Sequence, residues 1–334
     1  MDGELPRLSV VIPVYNESGN LSHALRVISG WIEKAEPVYE LILVDDGSSD
    51  NSWEELERIA LSVPNLHMVR LSRNFGKELA LCAGLMQARG EAVIVMDGDL
   101  QHPPDLIPEM VRLWRQEHYD IVECVKIERG KESFVKKLGA SIFYKTLNSL
   151  TGFNLKNASD FKLLSSKALE AWKLMPERNT FFRGMTVWTG FRRAQLHFSV
   201  PPRSSGNSRW SILRLSRLAV EAVVSFSTIP LRLVSTFGML FFVGAVVLGL
   251  YTLWQKLSGI AVTGFTTVII LLLFIGSMIM IFLGIIGEYI AAIYHETKGR
   301  PRYLISEIES SSTMIAAAER RKLKNEAAAS NEIH

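Results

Sequence analysis

The sequence is poor in cysteine and in net charge. Its 334 residues include only two cysteines, Cys82 and Cys124, and both stand among apolar neighbours. Two cysteines at this spacing match neither a disulfide framework nor a metal site, so we interpret them as small core residues in a reducing compartment. The formal net charge of +3 is too small to indicate a nucleic-acid partner.

Long apolar runs are absent from the first two thirds of the chain and are concentrated near its end. The N-terminus does not resemble a signal peptide, because the first apolar run, Leu8–Val14, is short and strand-like. Two later runs, Leu231–Leu253 and Phe265–Gly287, each approach the ~20 residues that a helix needs to cross a bilayer. The sequence therefore predicts transmembrane helices at 231–256 and 264–290. A helical hairpin buried in a soluble core is the alternative.

Basic residues flank the two apolar runs on both sides, whereas the short connector between them carries only Lys256. By the positive-inside rule, both flanks belong on the cytoplasmic side. We therefore expect a multi-pass protein of the inner (plasma) membrane, with its large N-terminal domain and both termini in the cytosol. Residues 211–230 place apolar side chains at helical spacing, which favours a helix in the membrane interface. The flanking basic residues are Arg203, Arg209, Arg214, Arg217 and Arg232 before the first run and Lys298, Arg300 and Arg302 after the second.

The first 125 residues alternate short apolar segments with segments of helical periodicity. This alternation predicts an α/β fold with a mostly parallel sheet covered by helices on both faces. The predicted strands are Ser9–Pro13, Glu40–Val44, Leu66–Leu71, Ala92–Met96 and Asp120–Val125, and the predicted helices are Asn20–Glu36, Ser52–Leu61, Lys77–Ala88 and Asp105–Gln116.

Polar motifs follow the first four predicted strands, at the carboxyl end of each. Ligands of parallel α/β sheets bind beyond this edge, so acids, amides and glycines there indicate a nucleotide pocket. The motifs are PVYNE at 13–17, VDDGSSD at 44–50, LSRNFGKE at 71–78 and DGDLQ at 97–101.

Asp97 and Asp99 stand two residues apart after the fourth predicted strand. In an extended chain, side chains at i and i+2 point to the same side, so the two carboxylates would converge and need a cation. Gln101 could add a neutral oxygen to such a site for a divalent metal ion. An Asp-Gly turn with solvated acids is the alternative.

Nine motifs carry a resemblance to a known family. In chain order they are VVIPVYNE, VDDGSSD, RNFGKELALCAGL, MDGDLQHPP, ASDFKLL, PERNTFFRG, SGNSRW, SFSTIPLRL and GIIGEYIAAIYHETKGRPRY. From Ser9 to about Tyr303 the chain resembles the membrane-anchored GT-A, family 2 glycosyltransferases that load a sugar onto a polyprenyl phosphate. Within that family it looks most similar to the bactoprenol (undecaprenyl-phosphate) glucosyltransferases. The resemblance implies a GT-A, Rossmann-like sheet flanked by helices, followed by an interfacial helix and two transmembrane helices.

The resemblance also implies a donor site. Asp97, Asp99 and Gln101 would bind Mg²⁺ or Mn²⁺, which neutralises the diphosphate of a nucleotide-sugar bound beside Asp97. Lys77 and Arg73 would approach the phosphates. Caps and turns are the alternative for this region, above all for Ser48 and Asp50. The residues implied in recognition of uracil and ribose are Pro13, Tyr15, Glu17, Asp45 and Asp46.

Asp160, in SDFKLL, matches the acidic residue of the family's Asp-Phe-Arg motif. The resemblance therefore makes Asp160, together with Asp99, the expected catalytic residue near the anomeric carbon. Lys162 stands where the family has arginine, which keeps the charge but leaves tight carboxylate or phosphate pairing in doubt. The residues expected to bind the acceptor phosphate are Arg203, Ser208, Arg209, Arg129 and Lys137.

The implied reaction is transfer of glucose from UDP-glucose to undecaprenyl phosphate with inversion, giving a lipid-linked sugar donor for cell-envelope glycan modification. Two other functions stay open: the same transfer with mannose, galactose, N-acetylhexosamine or aminoarabinose, and a non-catalytic nucleotide-binding membrane scaffold. A processive polysaccharide synthase would need a Gln-x-x-Arg-Trp motif, and the NSRW segment lacks that glutamine. Related enzymes also make a homo-oligomer an expectation.

We divide the chain into five segments. The polar, Ala-rich sequence after Tyr303 predicts a disordered or loosely helical tail without a functional role. The segments are a cytosolic glycosyltransferase domain at 1–210, an interfacial helix at 211–230, transmembrane helices at 231–256 and 264–290, and a cytosolic tail at 291–334.

Overall fold

The computed structural model describes residues 5–63, 65–126, 158–175, 182–199, 229–259 and 264–315. These stretches fall into two compact units. The first unit comprises the described residues up to 199 together with 300–315, and the second comprises the described residues between 229 and 299. The segment 300–315 thus belongs with the N-terminal domain rather than with a separate tail.

The first unit is an eight-stranded sheet with helices on both faces. The five predicted strands and four predicted helices are confirmed, each with ends within two residues of the predicted ones. Its strands are β1 (Leu8–Val14), β2 (Tyr39–Asp45), β3 (Leu66–Leu71), β4 (Ala92–Val95), β5 (Ile121–Lys126), β6 (Ala158–Ser165), β7 (Arg193–Phe198) and β8 (Ile305–Ser310). Its helices are α1 (Leu21–Ala35), α2 (Ser52–Ala60), α3 (Lys77–Gln87), α4 (Ile107–Glu117), α5 (Ser166–Lys173) and α6 (Phe182–Trp188).

The strand order is β7-β5-β6-β4-β1-β2-β3-β8. The central strands β4, β1, β2 and β3 are parallel, so their carboxyl ends and the four polar motifs meet at one edge. The prediction of a mostly parallel sheet with flanking helices is confirmed. Two strands make the sheet mixed, because β6 pairs antiparallel with both β4 and β5, and β8 pairs antiparallel with β3.

Both faces of the central strands are buried, which is why their sequences are apolar throughout. Val10 and Ile12 of β1 pack into a core with α1, α2 and α4, whereas Val11 packs on the opposite face against α3. Gly84 allows this close approach, since a Cβ there would lie 2.3 Å from Val11 Cγ1. The tight packing fixes α3 and therefore the first turn of that helix, which enters the site described below.

The segment after Tyr303 is ordered as far as it is described, so the prediction of a disordered or loosely helical tail is wrong there. Residues of β8 pair with β3, with Ile308 opposite Val69. Ile305 lies opposite Leu71, so three steps along β8 match two steps along β3. This irregular register puts two apolar residues three positions apart on one face. The strand therefore lacks the alternation by which a sequence reveals a strand.

The second unit is a hairpin of two long helices, α7 (Ile229–Leu257) and α8 (Phe265–Thr297). They contain apolar spans of 28 and 24 residues, Pro230–Leu257 and Leu271–Tyr294, each with a mean hydropathy of 2.3. At about 1.5 Å per residue, both spans exceed the ~30 Å of a hydrocarbon core. The most apolar stretch of each helix is 0% buried within the protein, which does not fit a hairpin inside a soluble core. Length and composition instead suit membrane association.

Candidate active site

The loop after β1 is fastened to the loop after β2 by side chains that bind backbone amides. Asn16, with a φ of 53°, donates its backbone N–H to Ser48 Oγ at 3.0 Å. Its side-chain Oδ1 accepts the Ser49 N–H at 2.9 Å. Asp50 Oδ1 accepts the N–H and the hydroxyl of Ser52 at 3.0 and 2.6 Å. Ser48 and Asp50 therefore stabilise these loops, as the alternative of structural caps and turns expects.

Asp46 fastens the loop after β2 to the loop after β3. Its Oδ1 accepts the Phe75 N–H at 2.7 Å and its Oδ2 accepts the Gly76 N–H at 2.8 Å. Burial raises the pKa of this carboxyl against the effect of the two amides. At Gly47, with a φ of +64°, an added Cβ would lie 2.4 Å from the carbonyl carbon of Arg73. Only glycine fits where the two loops touch.

The other residues predicted to recognise uracil and ribose surround the same corner. Asp45 is buried, accepts the Ser48 N–H at 3.2 Å and lies 3.4 Å from Arg70 Nε. Its contacts therefore stabilise the loop after β2. Tyr15 is 45% exposed, and Pro13 is half-buried near the end of β1. These two side chains offer surface to a ligand. Nucleotide recognition by this group stays a prediction.

Residues 97–101, which we call the acid turn, leave the sheet in a tight turn rather than as extended chain. β4 ends at Val95, and Leu100 has a φ of 59°. Asp99 Oδ1 accepts the Gln101 N–H at 3.0 Å, which closes the turn. The expected extended geometry is therefore wrong, and the Asp-Gly turn describes the backbone correctly. Both carboxylates, Asp97 and Asp99, nevertheless act on one neighbouring group.

That group is Glu17, a third carboxylate at the acid turn. A Cβ added at Gly98 would lie 3.4 Å from Glu17 Oε2, so the glutamate packs against the turn. Burial, followed by the charges of Asp99 and Asp97, raises the pKa of Glu17 to about 7. The charges of Asp97 and Asp99 therefore disfavour ionisation of Glu17 in addition to its burial.

The acid turn suits a divalent cation that shares its coordination with a substrate. The residues that the structure describes contain no group of three or more His, Cys, Asp or Glu side chains able to hold a metal by themselves. Mg²⁺ commonly binds through one or two carboxylates together with substrate phosphates and water. Asp97 and Asp99 supply such oxygen ligands, and after burial their charges are the next causes of the raised pKa of Glu17, so a cation there would reduce a repulsion. The residues present therefore fit a divalent metal ion.

Lys77, the first residue of α3, links the acid turn to a second acid. Its Nζ lies 2.6 Å from Asp97 Oδ1 and 2.9 Å from Asp160 Oδ2. Burial alone would lower the pKa of this ammonium, but the charges of Asp160 and Asp97 outweigh burial and raise it. Lys77 was predicted to approach the phosphates. Its position between the two acids brings the predicted metal-binding and catalytic residues into one site.

Asp160 lies near the amino end of β6. Because β6 runs antiparallel to β4, with Lys162 opposite Val95, Asp160 stands beside the end of β4. Arg183 of α6 binds it as a fork, with Nε 2.6 Å from Oδ1 and Nη2 2.8 Å from Oδ2. Burial would raise the pKa of this carboxyl, but Arg183 and Lys77 hold it well below its ordinary range. Asp160 is therefore ionised throughout the neutral range.

Arg183 is the site residue that the sequence reasoning missed, although it lies in the quoted motif PERNTFFRG. The available signal was the requirement that a buried, ionised Asp160 be paired, together with the fit of a guanidinium fork to a carboxylate. Which arginine meets Asp160 depends on how α6 packs on the sheet. One sequence does not reveal that packing.

Lys162 points into a buried ion pair. Its Nζ lies 2.6 Å from Glu123 Oε1 of β5 and donates to Thr186 Oγ1 of α6 at 2.8 Å. Burial lowers the pKa of the ammonium, and Glu123 opposes that effect. Tight carboxylate pairing at this position, left in doubt by the sequence, is therefore present. Asp160 receives a guanidinium fork from Arg183 instead.

His102 is a further residue that the sequence reasoning did not single out. Its Nδ1 accepts the Asp97 N–H at 2.9 Å, and its ring stacks on Phe161 with a centroid separation of 5.2 Å. Burial lowers the pKa of this imidazole, so it is neutral at pH 7. It holds the acid turn against the sheet.

The predicted acceptor residues lie outside the described residues, and their roles stay predictions. Arg73 is described and exposed, and its guanidinium stacks over the Phe75 ring at 4.3 Å. The acceptor residues concerned are Arg203, Ser208, Arg209, Arg129 and Lys137.

Comparison with known proteins gives two family matches and a consistent set of relatives. Glycosyl transferase family 2 matches residues 9–171, and the GtrB C-terminal hairpin matches residues 229–293. An uncharacterized glycosyltransferase of Synechocystis sp. is 38% identical over 303 residues, which cover 90% of this chain and 95% of that protein. The bactoprenol glucosyl transferase of Shigella phage SfX is 35% identical over 304 residues, which cover 90% and 98%.

A solved structure is also similar. The UDP complex of glucosyl-3-phosphoglycerate synthase from Mycobacterium tuberculosis matches 66% of this chain and 79% of its own, at 24% identity and a TM-score of 0.48. That score is too low to transfer a site from one protein to the other. The identity and coverage of the two relatives are sufficient to assign a family. The chain is therefore a glycosyltransferase and belongs to glycosyl transferase family 2.

Proposed function

We propose that the chain transfers glucose from UDP-glucose to undecaprenyl phosphate at the cytoplasmic face of the membrane. A relative 35% identical over nearly its whole length is named a bactoprenol glucosyl transferase. The two long apolar helices suit an enzyme whose acceptor is a membrane lipid. The observation that carries the proposal is the position of Lys77, because it joins the acid turn and Asp160 within one site.

The acid turn serves the donor. Asp97 and Asp99, with Gln101, would hold Mg²⁺ or Mn²⁺, which when bound stabilises negative charge on the leaving UDP. Tyr15 and Pro13 then face the nucleotide from the end of β1. Lys77 adds a positive charge on the side of the donor that faces Asp160.

Asp160 acts through its charge rather than as a base. Both of its oxygens accept hydrogen bonds from cations, and its pKa lies well below the ordinary range, so it takes up a proton poorly. The acceptor does not require a base, since a phosphate monoester with a second pKa of ~6 is mostly ionised near neutral pH. Asp160 therefore stabilises positive charge at the anomeric carbon while the acceptor oxygen attacks with inversion.

The membrane side of the reaction follows from charge. With α7 and α8 spanning the bilayer and their basic flanks in the cytosol, the sheet unit meets the lipid phosphate from the cytoplasmic side. The residues proposed to bind that phosphate are Arg203, Ser208, Arg209, Arg129 and Lys137.

The test is a transfer assay with the full chain in proteoliposomes that contain undecaprenyl phosphate and Mg²⁺ or Mn²⁺. A panel of radiolabelled UDP-sugars is supplied, and label in the lipid phase is counted. We expect label from UDP-glucose alone, abolished by EDTA and absent when undecaprenol, which lacks the phosphate, replaces the lipid. Label from a different single donor would replace glucose with that sugar. UDP release without lipid label would reject the acceptor, and no UDP release from any donor would favour the scaffold.

A further inference from the structure

The short helix α6 is attached to the rest of the sheet unit at two points. At its first residue, the Phe182 N–H donates to Glu78 Oε2 of α3 at 2.9 Å. One turn later, Thr186 Oγ1 accepts from Lys162 Nζ of β6 at 2.8 Å. Arg183, which binds the catalytic carboxylate, lies between the two attachments.

The second attachment continues into the sheet through a buried ion pair. Lys162 Nζ lies 2.6 Å from Glu123 Oε1, and the two side chains are 1% and 4% exposed. Glu123 Oε2 in turn accepts from Gln195 Nε2 of β7 at 3.4 Å. A buried ammonium is stable only where polar partners surround it. The strands therefore fix the Lys162 ammonium, and the ammonium fixes the position of the Thr186 hydroxyl.

The same hydroxyl reaches the residue that binds Asp160. Thr186 Oγ1 donates to the backbone carbonyl of Arg183 at 3.0 Å while it accepts from Lys162. One buried side chain thus connects the ion pair of the sheet to the backbone of Arg183. The two hydrogen bonds of the Arg183 fork, at 2.6 and 2.8 Å, depend on where that backbone lies.

We propose that Glu78, Glu123, Lys162 and Thr186 are positioning residues that set α6 so that the Arg183 fork meets Asp160. The inference rests on the proposed role of Asp160 in sugar transfer. Displacement of a reacting group by about 1 Å can cost ~100-fold in rate. Loosening α6 should therefore lower kcat. It should leave KM for UDP-glucose unchanged, because the contacts that carry the argument reach α6 and the neighbouring strands rather than the acid turn.

The sharpest variant is Thr186→Val, which is nearly isosteric and removes only the hydroxyl. We expect kcat to fall by ~10- to ~100-fold, with KM for UDP-glucose within about twofold of wild type. Thr186→Ser, which restores a hydroxyl, should recover kcat. Thr189→Val is the matched control and should leave kcat unchanged, because among the described residues Thr189 Oγ1 donates to the Thr186 carbonyl alone, at 2.8 Å. Wild-type kcat in Thr186→Val would overturn the inference.

Variants of the Lys162–Glu123 ion pair distinguish a role in positioning α6, measured by kcat, from a role in stabilising the fold, measured by Tm. Lys162→Met alone leaves Glu123 buried without its cation and should lower Tm strongly, whereas the double variant Glu123→Gln/Lys162→Met removes both charges and should recover Tm. If the pair only stabilises the fold, kcat recovers with Tm. If it positions α6, kcat stays low because the Thr186 hydroxyl has lost the ammonium that ties it to the sheet. Recovery of both quantities would overturn the role of the pair.

The first attachment is tested in the same way. Glu78→Gln keeps an oxygen that can accept the Phe182 N–H and should retain kcat, whereas Glu78→Met should lose it. Equal kcat in the two variants would remove Glu78 from the group. This arm stays informative if Thr186→Val does not fold.

Wild type and Asp160→Asn, run in parallel, separate the possible failures. An inactive wild type rejects the proposed function and with it the inference. An active wild type with an equally active Asp160→Asn rejects the role of Asp160 and also removes the basis of the inference. An active wild type, an inactive Asp160→Asn and a fully active Thr186→Val overturn the inference alone.

Discussion

Replacing Arg183 with methionine removes the guanidinium but keeps a long side chain. The guanidinium donates two charge-assisted hydrogen bonds to a carboxylate that is only 4% exposed. Breaking a fully buried pair costs about 3–5 kcal/mol, and one hydrogen bond to a charged group contributes about 1.5–3 kcal/mol. Lys77 remains 2.9 Å from Asp160, and Arg183 is itself 35% exposed. We therefore expect Arg183→Met to lower the free energy of unfolding by about 2–3 kcal/mol.

The effect on catalysis should be larger than the effect on the fold. Without the fork, Asp160 keeps one cation but loses the contact that orients its oxygens, and loss of a preorganised charge contact costs ~10²- to 10³-fold in kcat. Arg183→Lys keeps the charge without the fork and should fall between wild type and Arg183→Met. Arg192→Met is the matched control, because Arg192 is an exposed arginine that stacks on Tyr119 at 4.4 Å.

The pH dependence of unfolding checks the cause. The depressed pKa of Asp160 contributes stability above the unfolded pKa of ~4 and loses it as pH falls through the folded pKa. The difference in unfolding free energy between wild type and Arg183→Met should therefore be constant near neutral pH and shrink below about pH 4. Denaturant unfolding in detergent measures it. An Arg183→Met protein with wild-type stability and wild-type kcat would refute the pairing of Arg183 with Asp160.

Three further substitutions test other parts of the site. Asp99→Asn should lower metal-dependent transfer at least ~100-fold with little change in Tm, while Asp105→Asn, an exposed acid, should not; retained turnover with Mg²⁺ would reject the metal assignment. Gly47→Ala should lower the free energy of unfolding, measured by thermal unfolding, by roughly 2–4 kcal/mol. The control Gly19→Ala should lower it by about 1 kcal/mol, because Gly19 also has a positive φ but has open space around it. Equal losses in the two variants would exclude the clash between the loops. Since the pKa of Glu78 is raised to about 7, folded protein holds its proton more tightly than unfolded chain, and stability falls as pH rises from 4.5 to about 7. Glu78→Gln should make the fall in Tm over that window shallower, with the part due to Glu17 remaining, and an unchanged slope would contradict the shift.

The parallel half of the fold could be predicted because each of its strands carries its own signal. β1 to β4 are short apolar segments followed by turn motifs, and burial on both faces depends on nothing distant in sequence. The same reasoning correctly predicted that Asp97 and Asp99 lie at the carboxyl end of β4. The prediction of an extended backbone at these two residues was wrong. The turn depends on the left-handed conformation of Leu100 and on the hydrogen bond that the Asp97 N–H donates to His102 Nδ1.

The antiparallel strands β6 and β8 could not be predicted, because both depend on partners far along the chain. β6 buries Asp160 and Lys162, which by themselves favour a loop. Arg183 and Glu123 pair with them from 23 and 39 positions away in sequence, and only the packed sheet brings these charges together. For β8, the irregular register with β3 removes the alternation of apolar and polar residues that would have predicted a strand. In both cases the missing information was tertiary contact, not local propensity.

The site contains several carboxylates close together, and positive charges brought by the proposed reaction would reduce the repulsion between them. Burial and neighbouring acids raise the pKa values of Glu17 and Glu78 to about 7, so the folded protein gives up stability near neutral pH to keep these groups in place. Arg183 pairs with Asp160, and Lys77 is shared between Asp160 and Asp97, so the acid turn and Glu17 together have one neighbouring ammonium among the contacts that the structure describes. A divalent cation at the acid turn and positive charge at the anomeric carbon would both reduce this repulsion. Neutralising Glu17 would therefore stabilise the fold and weaken the attraction of the site for the donor's metal, which is the trade expected of a functional rather than a structural cluster.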